Sequence, residues 1–567
     1  MPQRYMTMPL LPLLGILTLA AALLFPGLGT APIERAEIYF MDGARSMVER
    51  DDYVVPYYRG QPFFDKPALT YWLIAVSFHT LGFTSAAARL VSVLVALLVV
   101  LSTVWLGVQL FNRRTAVYGG IILATTLGFV SFGRLAMSDM LLTLWSTLAV
   151  AIAVAACHDS EAGSWHIPAL GAVLGLGFQT KGPVALLLPG LGILALLWQR
   201  RRQRWPITGR GILLAVALFA VLGLGWFASI FLRLGVEPLA YFFLRENLER
   251  FAAATYDVGR SGWYYLPAYL ALGLPWSPLL PVAGWQVLRR GPDVGSSRLL
   301  LGWMGLMAVL LNLSRGKIDY YLLPLLPAAS LVLGHYMSAV PWGRLDRLWG
   351  RMILLLVGAL GAVLPAIIWR VPSAWLPSPA LVFVSSGLMV GGGVACLMTA
   401  SSLTPQRALV AMAASAAVLF FSFGAVFLPA FRAAQPHQEV VEDVLRVRLH
   451  QPEVELIVCE DHARLQRDLL FHVRLAVQQR CDLQAAASAP QPRLLLLQPE
   501  ERASLAAKPP LRELGEYRYL PASALTLRGF LAGLRPSTVI LMANETIEVR
   551  GAEVDRHLRQ DSVARVD

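Results

Sequence analysis

Long apolar runs alternate with short charged connections along most of the chain, and this alternation predicts its elements. Runs near 8–29, 86–110, 116–134, 139–157, 167–180, 183–199, 211–233, 263–288, 298–313, 320–339, 350–369, 379–400 and 407–431 approach or reach the roughly 17 to 25 residues a membrane helix needs. They predict an all-α polytopic membrane protein with about thirteen transmembrane helices over residues 1–431. One further apolar stretch, Ala68 to Phe83, is read either as a span or as a helix on the surface. Lys and Arg accumulate on the cytoplasmic side of membrane proteins. If Ala68–Phe83 does not cross and the N-terminus is cytoplasmic, then Arg113-Arg114, Arg200-Arg201-Arg202-Arg204, Arg289-Arg290, Arg344/Arg347/Arg351 and Arg407 all fall inside. The stretch is therefore expected to be an amphipathic or re-entrant helix against the outer surface, within a first extracytoplasmic loop of residues 30–85.

Beyond Leu428 the pattern changes. Residues 432–567 are polar, with β-like runs at Val454–Cys459, Leu494–Gln498 and Thr538–Met542 and a helix-like stretch at Ala463–Gln478. An odd number of spans puts this tail outside the cytoplasm as a small C-terminal α/β domain.

Composition sharpens the class. A chain of 567 residues that is 56% hydrophobic and 15% charged, with mean hydropathy +0.58, belongs in a bilayer. The net charge of +12 lies in short Arg clusters beside apolar runs, as lipid headgroups and topology require, so no nucleic-acid partner is expected. Met1–Gly29 has Arg4 ahead of an apolar core, but that core, Met8–Pro26, is longer than a signal-peptide core and lacks a clear cleavage site. It reads as the first membrane helix. Of the four Cys, Cys157 and Cys396 lie in apolar runs as packing residues, while Cys459 and Cys481 in the tail could pair outside the cytoplasm. CxxC, HExxH, Walker A and a dinucleotide-type GxGxxG context are absent from the sequence, as is an internal repeat.

Chemistry concentrates where polar residues interrupt the apolar pattern. The longest interruption, Ile33 to Trp72, carries Glu34, Glu37, Asp42, Glu49, Asp51, Asp52, Asp65 and Lys66 beside Tyr39, Tyr57, Tyr58, Phe63 and Phe64. A carboxylate such as Glu34 or Glu37 at a membrane surface is a candidate general base for an acceptor, or simply a helix cap. Lys66, in Asp65-Lys66-Pro67, is a compact cation where a lipid phosphate would lie, or a snorkelling side chain. Further candidates are Arg134 and Asp139 in GRLAMSDMLL, Lys181 in QTKGPVALLLP, Arg250 in YFFLRENLERF, and Lys317 and Tyr321 in SRGKIDYYLLPLLP. Each could be a local ion pair or an interfacial anchor. Together they place cations on the extracytoplasmic face, where topology does not call for them and where an anionic lipid phosphate would be recognised.

In order along the chain, Ala44-Arg45-Ser46-Met47, VVPYYRGQPFFDKPALTYW, AARLVSVL, GRLAMSDMLLT, TKGPVALLLPG, YFFLRENLERF, GWYYLPAYLALGLPWS and SRGKIDYYLLPLLP resemble the GT-C membrane glycosyltransferases related to lipid A 4-amino-4-deoxy-L-arabinose transferase, and more distantly the protein O-mannosyltransferases. The resemblance covers about residues 8–335. It implies thirteen spans, an extracytoplasmic site and inverting transfer from an undecaprenyl-phosphate sugar. It also implies a second acid at Asp139, a phosphate-binding Lys at Lys66, a loop Arg at Arg250 and a late Tyr at Tyr321. The family's first-loop Asp-Glu falls on Ala36-Glu37, so its leading Asp is missing here; Glu37 or Glu34 substitutes for it, or the activity is altered. The family's Glu-His falls on Glu246-Asn247, which leaves a divalent metal, and the exact acceptor, open.

The expected function is an inner-membrane glycosyltransferase, with the N-terminus cytoplasmic and the C-terminal domain periplasmic. Glu37, Glu34 and Asp139 would be catalytic. Lys66, Arg250, Tyr321, Lys317, Lys181, Asp65 and Arg134 would bind a polyprenyl-phosphate sugar, the acceptor being lipid A, another glycolipid or a protein. A monomer in the bilayer is expected, needing no certain cofactor. The rival readings are a lipid-linked-sugar flippase and a degenerate scaffold.

Overall fold

The structure is a computed structural model. It describes residues 8–158, 165–199, 207–252, 260–368, 387, 390–394, 398, 403–433, 437–458, 471, 483–505, 511–519 and 537–544. Cys396, Cys459, Cys481, all of the expected helix at 463–478 but Phe471, and most of the expected span at 379–400 lie outside the described residues.

The N-terminal half runs α1 (Leu10–Leu24), α2 (Arg35–Arg50), the two-stranded hairpin β1 (Tyr57–Tyr58) and β2 (Gln61–Pro62), α3 (Leu69–Leu81), α4 (Ser85–Leu110), α5 (Arg113–Ala124), α6 (Leu127–Phe132), α7 (Ser138–His158), α8 (His166–Lys181) and α9 (Val184–Gln199). There follow α10 (Gly209–Leu234), α11 (Tyr241–Glu249), α12 (Tyr265–Leu272), α13 (Ser277–Arg290), α14 (Val294–Leu313), α15 (Asp319–Ala339), α16 (Arg344–Ile368), α17 (Pro405–Phe427) and α18 (His437–His450). Among the described residues six helices are long and apolar enough to cross a membrane, or seven if the bent pair α12–α13 is one span. Leu10–Leu24, Leu69–Leu81 and Val184–Gln199 are shorter apolar helices.

Two expected spans are interrupted, and local chemistry explains both. The run 116–134 breaks between α5 and α6, where the Thr125 and Thr126 hydroxyls donate to the Ile121 and Ile122 carbonyls, each at 2.7 Å. Side chains that take the carbonyls of the preceding turn compete with a continuing ladder. The run 263–288 bends by 118° between α12 and α13, at Gly273-Leu274-Pro275. Proline brings no N–H to the helix, and its ring meets the preceding turn. The stretch expected as an amphipathic surface helix is α3, and it is apolar on its outward side as well, with Val76 and Leu81 exposed. Its 13 residues rise only about 20 Å, short of a bilayer core of about 30 Å.

The core lies where α4, α5, α7, α14 and α15 meet. Gly334 on α15 sets how closely α5 and α15 cross: a Cβ there would stand 2.6 Å from the Gly119 nitrogen and 2.8 Å from the Thr115 carbonyl oxygen. Only hydrogen fits in that space.

Past α18 the described strands form a mixed four-stranded sheet in the order β3 (Glu455–Val458), β4 (Arg493–Leu497), β6 (Ser537–Asn544), β5 (Leu511–Tyr519). β3 and β4 are parallel, and the other pairs are antiparallel. The sequence pattern located β3, β4 and β6 but not β5, whose LRELGEYRY carries polar residues on both faces and a bulge between Glu513 and Gly515. One face of this sheet shares a core with α2 and α3. Phe471 bridges them, its ring 6.1 Å from Phe78 and its carbonyl accepting the Arg45 guanidinium. The sheet thus backs the segment that builds the polar site.

Candidate active site

Two cavities open at one end of the bundle and share Asp65, Arg250 and Gly316 in their walls. The first, about 410 Å³, is mostly apolar, with Leu142, Leu187, Leu188, Phe242, Phe243 and Leu311 among its walls. Its charged lining is Asp65, Lys66, Lys181, Glu246 and Arg250, with Tyr321 beside them. The second, about 600 Å³, is more polar and is walled by Glu34, Ala36, Tyr39, Arg260, Asp319 and Tyr320 among others. An apolar cavity with cations in its wall, sharing three wall residues with a polar one, can hold a lipid phosphate near the shared wall and a hydrophilic group in the polar cavity.

Each cation is held by a separate element. Lys66 lies just ahead of α3, whose N-cap is Ala68. Its ammonium donates to the Asp65 carbonyl at 2.7 Å and stands 3.7 Å from a Glu246 oxygen. Glu246, its side chain fully buried on α11, also accepts from Arg250 at 3.1 Å. One buried carboxylate thereby sets Lys66 and Arg250 side by side, offsetting part of their repulsion. From sequence, Glu246 and Arg250 are merely an i, i+4 pair; the missed signal is Lys66, 180 residues away, on the same carboxylate. Lys181 ends α8 at Gly182, whose φ of +66° lets the chain turn into Pro183. A Trp145–Thr180 hydrogen bond of 2.9 Å clamps α7 to α8 beside it. Its ammonium pairs with Asp139 at 2.5 Å and lies 4.6 Å from the Tyr321 ring centre.

The two groups at the junction titrate unusually. Burial raises the Asp65 carboxyl above the ordinary carboxylate range, although Lys66 pulls it back, and the Tyr241 hydroxyl donates to it at 3.1 Å. Burial, and then the Arg250 charge, push the Lys66 ammonium down to about 8. The protonated form is the one that binds phosphate, so it prevails below that pH and is lost above it. With wild-type protein, kcat/KM for a lipid-phosphate donor is expected to hold near neutral pH and then fall through pH 8, by up to about tenfold per unit. Lys66→Arg, which keeps its proton, should flatten that limb; a fall of equal slope in the variant would refute the assignment.

The structure gathers Asp65, Lys66, Lys181, Arg250 and Tyr321 around one cavity, with Asp139 behind Lys181. Four other expected site residues take different places. Glu37 is fully buried: one oxygen accepts from Arg89 Nε at 2.8 Å and the Ala136 amide at 2.9 Å, the other from Arg89 at 2.8 Å and the Glu34 amide at 2.9 Å. Its two oxygens thus accept from four donors, so it serves as a structural carboxylate with no lone pair left to take an acceptor proton. Glu34 is the N-cap of α2 and completes a capping box with Glu37, though it also lines the polar cavity. Arg134 is buried and donates to the Pro26 carbonyl, lining neither cavity. Lys317 is buried too, its ammonium folded onto the Ser314 carbonyl at 2.6 Å. Each has partners that give it a local structural role: Arg89 and two amides for Glu37, a helix cap for Glu34, and backbone carbonyls for Arg134 and Lys317.

Among the described residues no three His, Cys, Asp or Glu converge as metal ligands. Asn247, beside Glu246, turns its amide onto the Phe242 carbonyl at 2.7 Å.

Residues 65–226 match the family model described as dolichyl-phosphate-mannose-protein mannosyltransferase. The chain is 30% identical over 390 residues to the undecaprenyl phosphate-alpha-4-amino-4-deoxy-L-arabinose arabinosyl transferase of Pectobacterium carotovorum, covering 65% of this chain and 67% of that one. The protein of the same name from Pectobacterium atrosepticum is 30% identical over 385 residues, with the same shares. Among solved structures, apo ArnT from Cupriavidus metallidurans superposes with a TM-score of 0.70 at 19% identity, over 94% of this chain and 98% of that one. The same protein bound to undecaprenyl phosphate gives 0.68 over 93% and 97%, also at 19% identity. That likeness extends the common fold through nearly the whole chain.

Proposed function

Because the chain belongs to the undecaprenyl phosphate-alpha-4-amino-4-deoxy-L-arabinose arabinosyl transferase family, we propose that it is an integral membrane glycosyltransferase that moves a sugar from a polyprenyl-phosphate carrier to an extracytoplasmic glycolipid such as lipid A. The observation that carries this reading is the meeting of Lys66, Lys181 and Arg250 in the wall of an apolar cavity that shares Asp65, Arg250 and Gly316 with a polar one. The apolar walls suit the prenyl chain, the cations its phosphate, and the polar chamber the sugar and acceptor.

The chemistry follows from that division. Lys66 and Arg250 hold the lipid phosphate, and their charge stabilises the anion that forms as the bond to the anomeric carbon breaks. Asp139 holds the Lys181 ammonium in place beside the Tyr321 ring. A phosphate leaving group is already ionised at neutral pH, so no strong general acid is required. The reading includes thirteen spans in a bacterial inner membrane, a cytoplasmic N-terminus, and the polar cavity and C-terminal α/β domain in the periplasm.

The test is reconstitution of the purified protein in vesicles with undecaprenyl-phosphate 4-amino-4-deoxyarabinose and lipid A, followed by mass spectrometry of both lipids. Release of undecaprenyl phosphate and a pentosamine-sized mass increase on lipid A are expected. A donor that crosses the bilayer intact would instead identify a flippase, and an unchanged donor would reject both activities.

A further inference from the structure

A phosphate held by the cations carries its sugar one oxygen further on, and two consecutive tyrosines divide the space that both must fill. Tyr321 lines the apolar cavity and Tyr320 the polar one. Local geometry explains the division. α15 opens on a 3₁₀ turn over Asp319–Leu325, in which successive side chains point about 120° apart. The Tyr320 amide donates to the Asp319 carboxylate at 3.0 Å and the Tyr321 amide to the Ile318 carbonyl at 3.2 Å, which fixes the start of that turn. The two rings stand 5.3 Å apart with their planes at 82°.

The pair stands beside the phosphate-binding cations. The Lys181 ammonium lies 4.6 Å from the Tyr321 ring centre and 5.9 Å from that of Tyr320. Arg250, in the wall of both cavities, is within electrostatic reach of both phenols. A sugar joined through a single oxygen to a phosphate held there comes to lie at Tyr320.

Tyr320 has a second ring behind it. Phe132, the last residue of α6, also lines the polar cavity, and the two rings meet edge to face at 5.8 Å and 71°. Both residues are half-buried, so each keeps surface for the cavity. Asp65, Arg250, Arg260 and Asp319 line the same cavity. A sugar ring needs this mixture: its hydroxyls take polar and charged partners, while its axial C–H bonds form an apolar face with slightly positive hydrogens. That face settles on the negative face of an aromatic ring, which an aliphatic side chain does not offer.

Resting on the reading above, we propose that Tyr320, backed by Phe132, is the sugar subsite of this chain: the C–H face of the sugar on the lipid phosphate packs on the Tyr320 ring. Tyr321 stays on the phosphate side with Lys181, and Tyr320 determines how firmly and in what orientation the sugar is held.

The test titrates full-length protein in lipid nanodiscs with undecaprenyl phosphate and with undecaprenyl-phosphate 4-amino-4-deoxyarabinose. Wild-type protein should bind the sugar-bearing lipid more tightly than the bare one. Tyr320→Leu should weaken binding of the sugar-bearing lipid by about tenfold, the scale of one aromatic contact, while the bare lipid binds within about twofold of wild type. Tyr320→Phe keeps the ring and should stay within about threefold of wild type for both lipids. Equal losses for the two lipids in Tyr320→Leu would show a structural role and overturn the assignment, and so would no loss for either. A Tyr320→Phe protein as impaired as Tyr320→Leu would also overturn it, since the hydroxyl and not the ring would then be the contact. If Tyr320→Leu does not fold, Phe132→Leu takes its place, with a loss of about threefold expected for the sugar-bearing lipid alone. Donor affinities left intact in Tyr320→Leu beside a raised acceptor KM would seat the acceptor's sugar on the ring instead. Wild-type protein that binds neither lipid would remove the donor reading itself.

Discussion

Lys66→Ala is expected to lower kcat/KM for the lipid-linked donor by at least about 100-fold, the scale of losing one charged group aimed at a developing anion in a water-poor site. The loss should fall on kcat as well as KM. Lys66 meets a phosphate in both ground and transition states, but the charge on the bridging oxygen grows only as the sugar leaves. The Glu246 carboxylate loses one cation and keeps Arg250, so the variant should still fold. Lys66→Arg should retain a measurable fraction of activity, since Arg supplies charge in a different shape. Steady-state kinetics in vesicles, with thermal unfolding as the folding control, decides the matter. A folded Lys66→Ala protein of full activity would remove Lys66 from the site.

The second large effect concerns stability. Arg89 on α4 uses all five of its N–H groups: two on Glu37, and three on the Leu28, Ala31 and Pro32 carbonyls, at 2.8 to 2.9 Å. Glu37 in turn takes the amides of Glu34 and Ala136. This one ion pair ties the link between α1 and α2, the start of α4, and the turn before α7. Those segments carry Glu34, Ala36, Leu135 and Met137 of the polar cavity wall. Arg89→Met should cost about 3 to 5 kcal/mol, because it strands a buried carboxylate and three carbonyls. The double variant Arg89→Met with Glu37→Gln should lose less than the sum of the two single changes, since neither charge is then left alone. Thermal unfolding in detergent of all four proteins tests this; additive losses would show that the pair is not coupled.

The sequence names Glu37 and the structure gives it other work, for a physical reason. A carboxylate beside a membrane helix looks the same in the chain whether it faces solvent or a guanidinium, and Arg89 lies 52 residues away inside an apolar run. Lys317 and Arg134 mislead in the same way, because the carbonyls that satisfy them belong to turns whose paths hydropathy does not reveal. The breaks within 116–134 and 263–288 were partly legible, since Thr125-Thr126 and Gly273-Leu274-Pro275 stand in the sequence. Their apolar flanks hid them in any average over a span-length window.

By itself the amino-acid sequence determined the membrane class, the approximate helices and the strands at 455–458, 493–497 and 537–544, and it named Lys66, Lys181, Arg250 and Tyr321 as candidates, which the structure places around one cavity. These follow from apolar run length and from charge where lipid would penalise it, both local properties. Only the tertiary structure decided which charges meet: Glu246 between Lys66 and Arg250, Asp139 on Lys181, and Glu37 locked to Arg89. Burial and pairing control what a charged group can do, and both are set by helices distant along the chain packing at one end of the bundle.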